Sequence, residues 1–201
     1  KENFKALWSH NKSEEKNNLI KFFDFTKQHF KKYPKAKIYH YAPYEITALE
    51  RLTSIHKVHG VDYDHYLNLG KFVDLFRVVK QGIYVSQKSY SIKDIEKYYD
   101  FKRTGEILKG DVSEEFYIQW MHNNDKRLLD KIEDYNKQDC ESTFRLRKWL
   151  LRIKPKQTKW FIPEKEKIEL RPFEETLLEF QEKFENFKST HNKISKLLSD
   201  V

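Results

Sequence analysis

The sequence predicts a mixed α/β layer fold, and three observations carry that expectation. Glycine and proline together make only 10 of 201 residues, below the roughly 12% of ordinary chains, which favours long helices over a turn-rich all-β fold. Aromatic residues make 15% of the chain, a content that disordered chains lack and that supports a packed core despite 35% charge. Segments of strand and helix period alternate from the N-terminus onward.

Phe4 to Trp8 reads as a short strand. Ser13 is placed to cap a helix with Glu14 and Glu15 in its first turn and Leu19, Phe22, Phe23 and Phe30 on its apolar face. The Tyr33-Pro34 step ends it, and Ala36 to Tyr41 forms a second strand. Pro43 suits the first turn of the next helix, with Ile46, Leu49, Leu52 and Ile55 on one face and Gly60 just past its end. Phe72 to Val79 is apolar and β-branched, a third strand or a short helix. Ser91 and Ser113 each stand before a helical pattern. A long helix follows, with Leu128, Ile132, Tyr135, Asp139, Thr143, Leu146 and Leu150 at spacings of three and four. Asp139 is the odd member of that stripe, a carboxylate among core positions. Pro155, Pro163 and Pro172 punctuate a linker. Phe173, Leu177, Phe180, Phe184, Phe187, Ile194, Leu198 and Val201 then form a coiled-coil or helical-hairpin seam, with His191 in its gap. The expected division is a domain over 1–153 and a linker with an amphipathic helix over 154–201.

The net charge is +8, and it is unevenly spread. Residues 1–153 carry 29 cationic against 22 acidic side chains, whereas the remainder carries 10 against 9. A basic globular face suits a phosphate backbone, although a Lys-rich chain also carries solvated lysines as a matter of composition. The single Cys excludes a disulfide framework and a cysteine zinc cluster. No apolar run approaches the roughly 18 residues of a membrane span, and no signal peptide opens the chain. A soluble, cytoplasmic protein with no membrane partner is expected.

Two places pair an acid with aromatics in an apolar context. His40-Tyr41-Ala42-Pro43-Tyr44-Glu45-Ile46-Thr47-Ala48-Leu49 runs from a strand end into a helix start. Tyr135 and Asp139 sit one helical turn apart on one face. Each has a bland alternative. Glu45 could simply favour the helix dipole in a first turn, and Asp139 could reach solvent beside a core Tyr135. His56 and His59 have a zinc-compatible spacing but no third ligand nearby, so they read as surface histidines. Cys140 reads as packing.

In order and spacing these stretches resemble the motifs of DEDD exonucleases. H-Y-x-x-Y-E-x-x-x-L from His40 is similar to the second motif, H-N-x-x-F-D-x-x-x-L. Y-x-x-x-D from Tyr135, followed by Thr143 and Leu146, is similar to the third motif in its tyrosine version. Val73-Asp74-Leu75 sits where that superfamily often has an aspartate-bearing strand. The wording of Ile38 to Glu45, Ser89 to Ile92 and Tyr135 to Cys140 resembles most the RecB-like nuclease family with a YprB-type ribonuclease H-like exonuclease domain. The likeness covers residues 1–150.

The resemblance implies an α/β ribonuclease H-like exonuclease fold, N-terminally truncated, with a C-terminal helical extension. It implies two-metal hydrolysis of DNA from the 3′ end, on a single strand, with Mg²⁺ or Mn²⁺ as cofactor. One ion would generate hydroxide and the other would steady the leaving oxygen. Asp139 then matches a direct metal ligand, Glu45 the second-motif carboxylate and a metal ligand often acting through water, and Tyr135 the residue that orients the attacking water. The family's first motif, D-x-E on the first strand, has no match ahead of Glu45. Asp94-Ile95-Glu96 and Asp139-Cys140-Glu141 have the letters but fall on helices after it. The D-x-E strand is therefore expected upstream, and the 201 residues alone are expected to be inactive. A helicase-like region commonly follows such domains. The rivals are a non-catalytic nucleic-acid-binding or scaffold domain of a helicase-linked protein, and a helical interaction module acting through its C-terminal seam.

Overall fold

A computed structural model describes residues 3–104 and 110–159, with the backbone alone for 110 and 111. The chain divides into two units, Lys1–Pro155 and Lys156–Val201, and every described helix and strand belongs to the first. The Pro163–Pro172 stretch and the Phe-rich seam after it lie outside the described residues.

Helix α1 (Lys12–Lys32) begins at Asn11 rather than at Ser13. The Asn11 side-chain oxygen accepts the Glu14 N–H at 2.9 Å, satisfying one of the orphan donors of the first turn. Phe4 to Trp8 is not a strand. Side chains hold this extended piece instead. Trp8 Nε1 donates to Glu133 at 2.8 Å, Asn18 Nδ2 donates to Ser9 Oγ at 2.9 Å, and the His10 ring lies 4.4 Å from that of Trp120.

Strand β1 (Ile38–His40) leads through helices α2 (Tyr44–His56) and α3 (Gly60–Asn68) to strand β2 (Phe72–Asp74). The strands pair in parallel, Ile38 with Phe72, Tyr39 with Val73, and His40 with Asp74. The expected helix after Pro43 is α2, and α3 is a further helix that the spacing does not predict. Lys57 (φ 51°) and His59 (φ 56°) take left-handed backbone conformations that break the run, and Gly60 starts the second helix instead of trailing the first. Phe72 to Val79 is strand and helix in succession. Asp74 ends the strand and caps helix α4 (Leu75–Gly82), its Oδ1 accepting the Phe76 N–H at 2.9 Å.

Ser91 caps the short helix α5 (Ile92–Ile95), which passes into a 3-10 turn over Glu96–Tyr98. Helix α6 (Gly110–Asn123) has Ser113 inside it rather than at its cap. Helix α7 (Lys126–Ile153) starts from Asp125, which accepts the Arg127 N–H at 3.0 Å.

Alternation along the two strands separates two apolar clusters. Ile38 and Phe72 join Leu19, Phe23, Tyr63 and Tyr66, so α1, α2 and α3 share one core. Tyr39 and Val73 join Leu75, Val79, Ile95 and Leu146, so α4, α5 and α7 share the other. The α7 stripe is less apolar than its spacing predicts. Ile132 and Leu146 are buried, but so are Gln138 and Ser142. Gln138 accepts the Thr104 N–H at 2.9 Å, so this helix fastens the chain that follows the 3-10 turn.

Candidate active site

Both strands end at the same side of the sheet, and the paired residues His40 and Asp74 mark it. Beyond β1 the chain turns through Ala42, whose φ of 68° is left-handed. Asp74 Oδ1 accepts the Ala42 N–H at 3.0 Å as well as that of Phe76. One carboxylate therefore fixes both strand exits. His40 is buried, and its Nδ1 lies 2.7 Å from the Ala42 carbonyl and 4.0 Å from Glu45 Oε2. Glu45 stands in the first turn of α2 with 54% of its side chain exposed.

Helix α7 brings Tyr135 and Asp139 to this end. Glu45 feels both Asp139 and Asp74. Burial raises its pKa most, its own backbone N–H and His40 lower it, and the two aspartates raise it further. Partial desolvation, with smaller contributions from Asp139 and Glu45, also pushes up the thiol of Cys140, although that residue is exposed rather than packed. Tyr41, which donates to the Tyr90 carbonyl, has its phenol pushed up to about 12 by burial and by Asp74.

Apart from Glu96, the residues that dominate the interior of this site carry no motif in the sequence. Arg103 donates through Nε and Nη2 to both oxygens of Glu96, with Nη2 2.6 Å from Oε1, and the same Nη2 lies 2.7 Å from Asp139 Oδ1. Side-chain exposure is 7% for both Arg103 and Glu96, and 38% for Asp139. Ser142 Oγ donates to Glu96 at 2.7 Å, and Tyr99 OH lies 2.8 Å from Ser142 Oγ. Desolvation opposes the guanidinium charge, but the hydrogen bonds it donates to Glu96 and Asp139, with their negative charge, outweigh it and raise the Arg103 pKa. Its Nη1 is buried without a hydrogen-bond partner among the described residues. The Tyr135 ring stands 5.6 Å from the Arg103 guanidinium and 5.5 Å from Lys93 Nζ. Glu96 was visible in Asp94-Ile95-Glu96, whose helical setting the structure bears out. Nothing around Arg103 in the sequence marks it as the partner of two distant acids.

Hard divalent cations take oxygen ligands, and Glu45, Asp74 and Asp139 have that chemistry. Their arrangement does not hold an ion. Among the described residues no three His, Cys, Asp or Glu side chains gather closely enough for a metal. Asp139 is engaged by Arg103, and Asp74 by two backbone N–H groups. The residues as they stand do not fit a two-ion centre. His56 and His59 form no zinc site either. His56 Nε2 lies 2.6 Å from Glu15 and His59 Nδ1 2.7 Å from Asp62, and both rings are largely covered rather than on the surface.

A family model of the RNase H superfamily matches residues 1–151. No curated protein and no solved structure matches the chain. Nucleases of this kind generally use divalent metals, and their substrates are nucleic acids. No described helix is long and apolar enough to cross a membrane. The chain belongs to the RNase H superfamily.

Proposed function

We propose that this domain is a tyrosine-type DEDD exonuclease that shortens single-stranded DNA from its 3′ end, with Asp139, Glu45 and Tyr135 as its site. The observation that supports the reading is that Glu45, Asp74 and Asp139 all approach the end of a parallel strand pair, without closing into a metal site by themselves. They come from three separate segments and are near enough for both aspartates to act on Glu45. Such a site needs acceptors on one side of the phosphodiester and a hydroxyl to orient water, the role we assign to Tyr135. The D-x-E carboxylates are on neither β1 nor β2, and this reading takes them from outside the 201 residues.

The Arg103–Asp139 pair favours a second reading. A guanidinium held by two carboxylates already supplies the positive charge that an ion would otherwise give to Asp139. A non-catalytic nucleic-acid-binding domain, in a helicase-linked protein, would keep it that way. A 5′-labelled single strand incubated with the full-length protein and Mn²⁺ separates the two. Progressive shortening that Asp139→Ala abolishes and Tyr135→Phe slows by tenfold or more supports the nuclease. Binding without shortening supports the second reading.

A further inference from the structure

The opposite end of the sheet holds a cleft that neither reading uses. Its volume is about 550 Å³, and its lining includes Phe30, Lys35, Lys37, His65, Tyr66 and Lys71. An adjoining hollow shares Pro34 and Lys35 with it and adds His29, Lys32 and Tyr33. Neither lining contains a carboxylate. Parallel pairing explains the location. Lys35 and Lys37 precede β1 while Lys71 precedes β2, and the Ile38 N–H donates to the Lys71 carbonyl at 2.8 Å. The last turn of α1 carries Lys32, which lines the adjoining hollow, and Lys31.

Lys27 is paired with Asp62 and Lys97 with Asp94. Among the described ion pairs none involves Lys31, Lys32, Lys35, Lys37 or Lys71. Lys71 Nζ donates to the Pro34 carbonyl at 2.6 Å and stands 4.3 Å from the Phe30 ring, and Lys37 Nζ donates to the Gly70 carbonyl. Burial, and then the nearby Lys37, lower the Lys71 pKa. Between Phe25 and Tyr44 the sequence has no acid at all. Rings interleave with the cations, and Tyr33 leaves 49% of its surface exposed beside His29, 5.0 Å away. Amines that track phosphates, with an exposed ring on which a base can stack, are what a single strand of nucleic acid requires.

We propose that this cleft binds single-stranded nucleic acid as a second docking surface, remote from the Asp139 end. The proposal rests on the nucleic-acid reading of the domain but not on catalysis. Lys32 and Lys35 would reach phosphates and Tyr33 a base, with Lys71 as a fixed structural charge beneath them.

Binding of a labelled oligothymidine to the full chain, measured by fluorescence anisotropy in EDTA across a salt series, tests it. Lys32→Glu/Lys35→Glu should weaken binding at least tenfold at low salt and flatten the salt slope, since every phosphate left without its lysine keeps close to one counterion that binding would have released. Tyr33→Ala should weaken binding severalfold with the slope unchanged. Both substitutions fall on exposed residues, and unfolding curves would verify that the fold persists. Lys16→Glu, on the first half of α1, serves as the charge control. Wild-type affinity in the double variant overturns the cleft while leaving the nuclease reading intact. So does a loss no greater than that of Lys16→Glu. Inorganic polyphosphate that competes equally per phosphate would overturn the assignment to a nucleic-acid strand. A wild-type chain that binds no oligonucleotide at low salt overturns both.

Discussion

At the C-terminal end of the β1–β2 pair, Glu96 and Asp139 share the guanidinium of Arg103, and Asp74 is taken up by two backbone donors. At the N-terminal end, lysines line a cleft without a single carboxylate. Only about 10 Å of strand separates the two, at roughly 3.3 Å per residue. Charge at the first end holds the chain together, so its residues should report on folding as well as chemistry. Charge at the second end is not neutralised from within, so its exposed lysines, unlike the buried Lys71, should report on an external anion and hardly at all on stability.

Arg103→Ala breaks the comparison most severely. Glu96 would be left buried without its bidentate partner, and removing one member of a buried pair typically costs about 3–5 kcal/mol. Thermal unfolding should show a drop of that order. Arg103→Lys should recover only part of it, because an ammonium cannot reproduce the two parallel bonds to Glu96 and the third to Asp139. The corresponding change at the basic end, Lys35→Glu, should move stability by no more than about 0.5 kcal/mol. Equal losses at both ends would mean that the lysine cleft is part of the core.

Asp74→Ala ranks next. It removes the cap of α4 and the acceptor for the Ala42 N–H together, and loss of such a cap costs about 1–2 kcal/mol. Asp74→Asn keeps an acceptor oxygen and should recover most of the stability. If it does, the role of Asp74 is to fix the two strand exits. If Asn restores stability but nuclease activity stays lost, the charge itself is used.

The difference between the ends also explains what the sequence disclosed. The helices that bury Leu19, Phe23, Ile132 and Leu146 were legible, because apolar residues at spacings of three and four report directly on a covered face. Tyr135, Asp139 and Glu45 stood out because acids and aromatics in apolar company are conspicuous. The run from Phe25 to Tyr44 displayed its missing acids just as openly, yet linear charge does not say which lysines already have partners. Lys27 has one in Asp62 from another helix. Arg103 was hidden for the same reason. Its partners are 7 and 36 residues away, Glu96 and Asp139, and only the folding of α7 against the 3-10 turn brings them to it. The left-handed Lys57 was equally silent, since lysine is not a residue type that advertises that backbone.

The smallest effect concerns Glu45, the one carboxylate of this end that faces solvent with half its side chain. Its pKa in the folded protein is raised from the ordinary 4.5, chiefly by partial burial and then by Asp139 and Asp74 against the opposing pull of its backbone N–H and His40. The folded state therefore binds more proton than the unfolded state in the interval just above pH 4.5, and stability falls as pH rises through that interval. Glu45→Gln removes the charge and keeps the shape. It should match the wild type below the interval and be the more stable above it, by less than about 1 kcal/mol because water screens an exposed group. Urea unfolding at pH 4 and pH 7 would measure it. A gap that is the same at both pH values would show that folding does not raise the Glu45 pKa. The acidic end would then lose its one pH-sensitive residue, and the comparison between the ends would rest on Arg103 and the lysines alone.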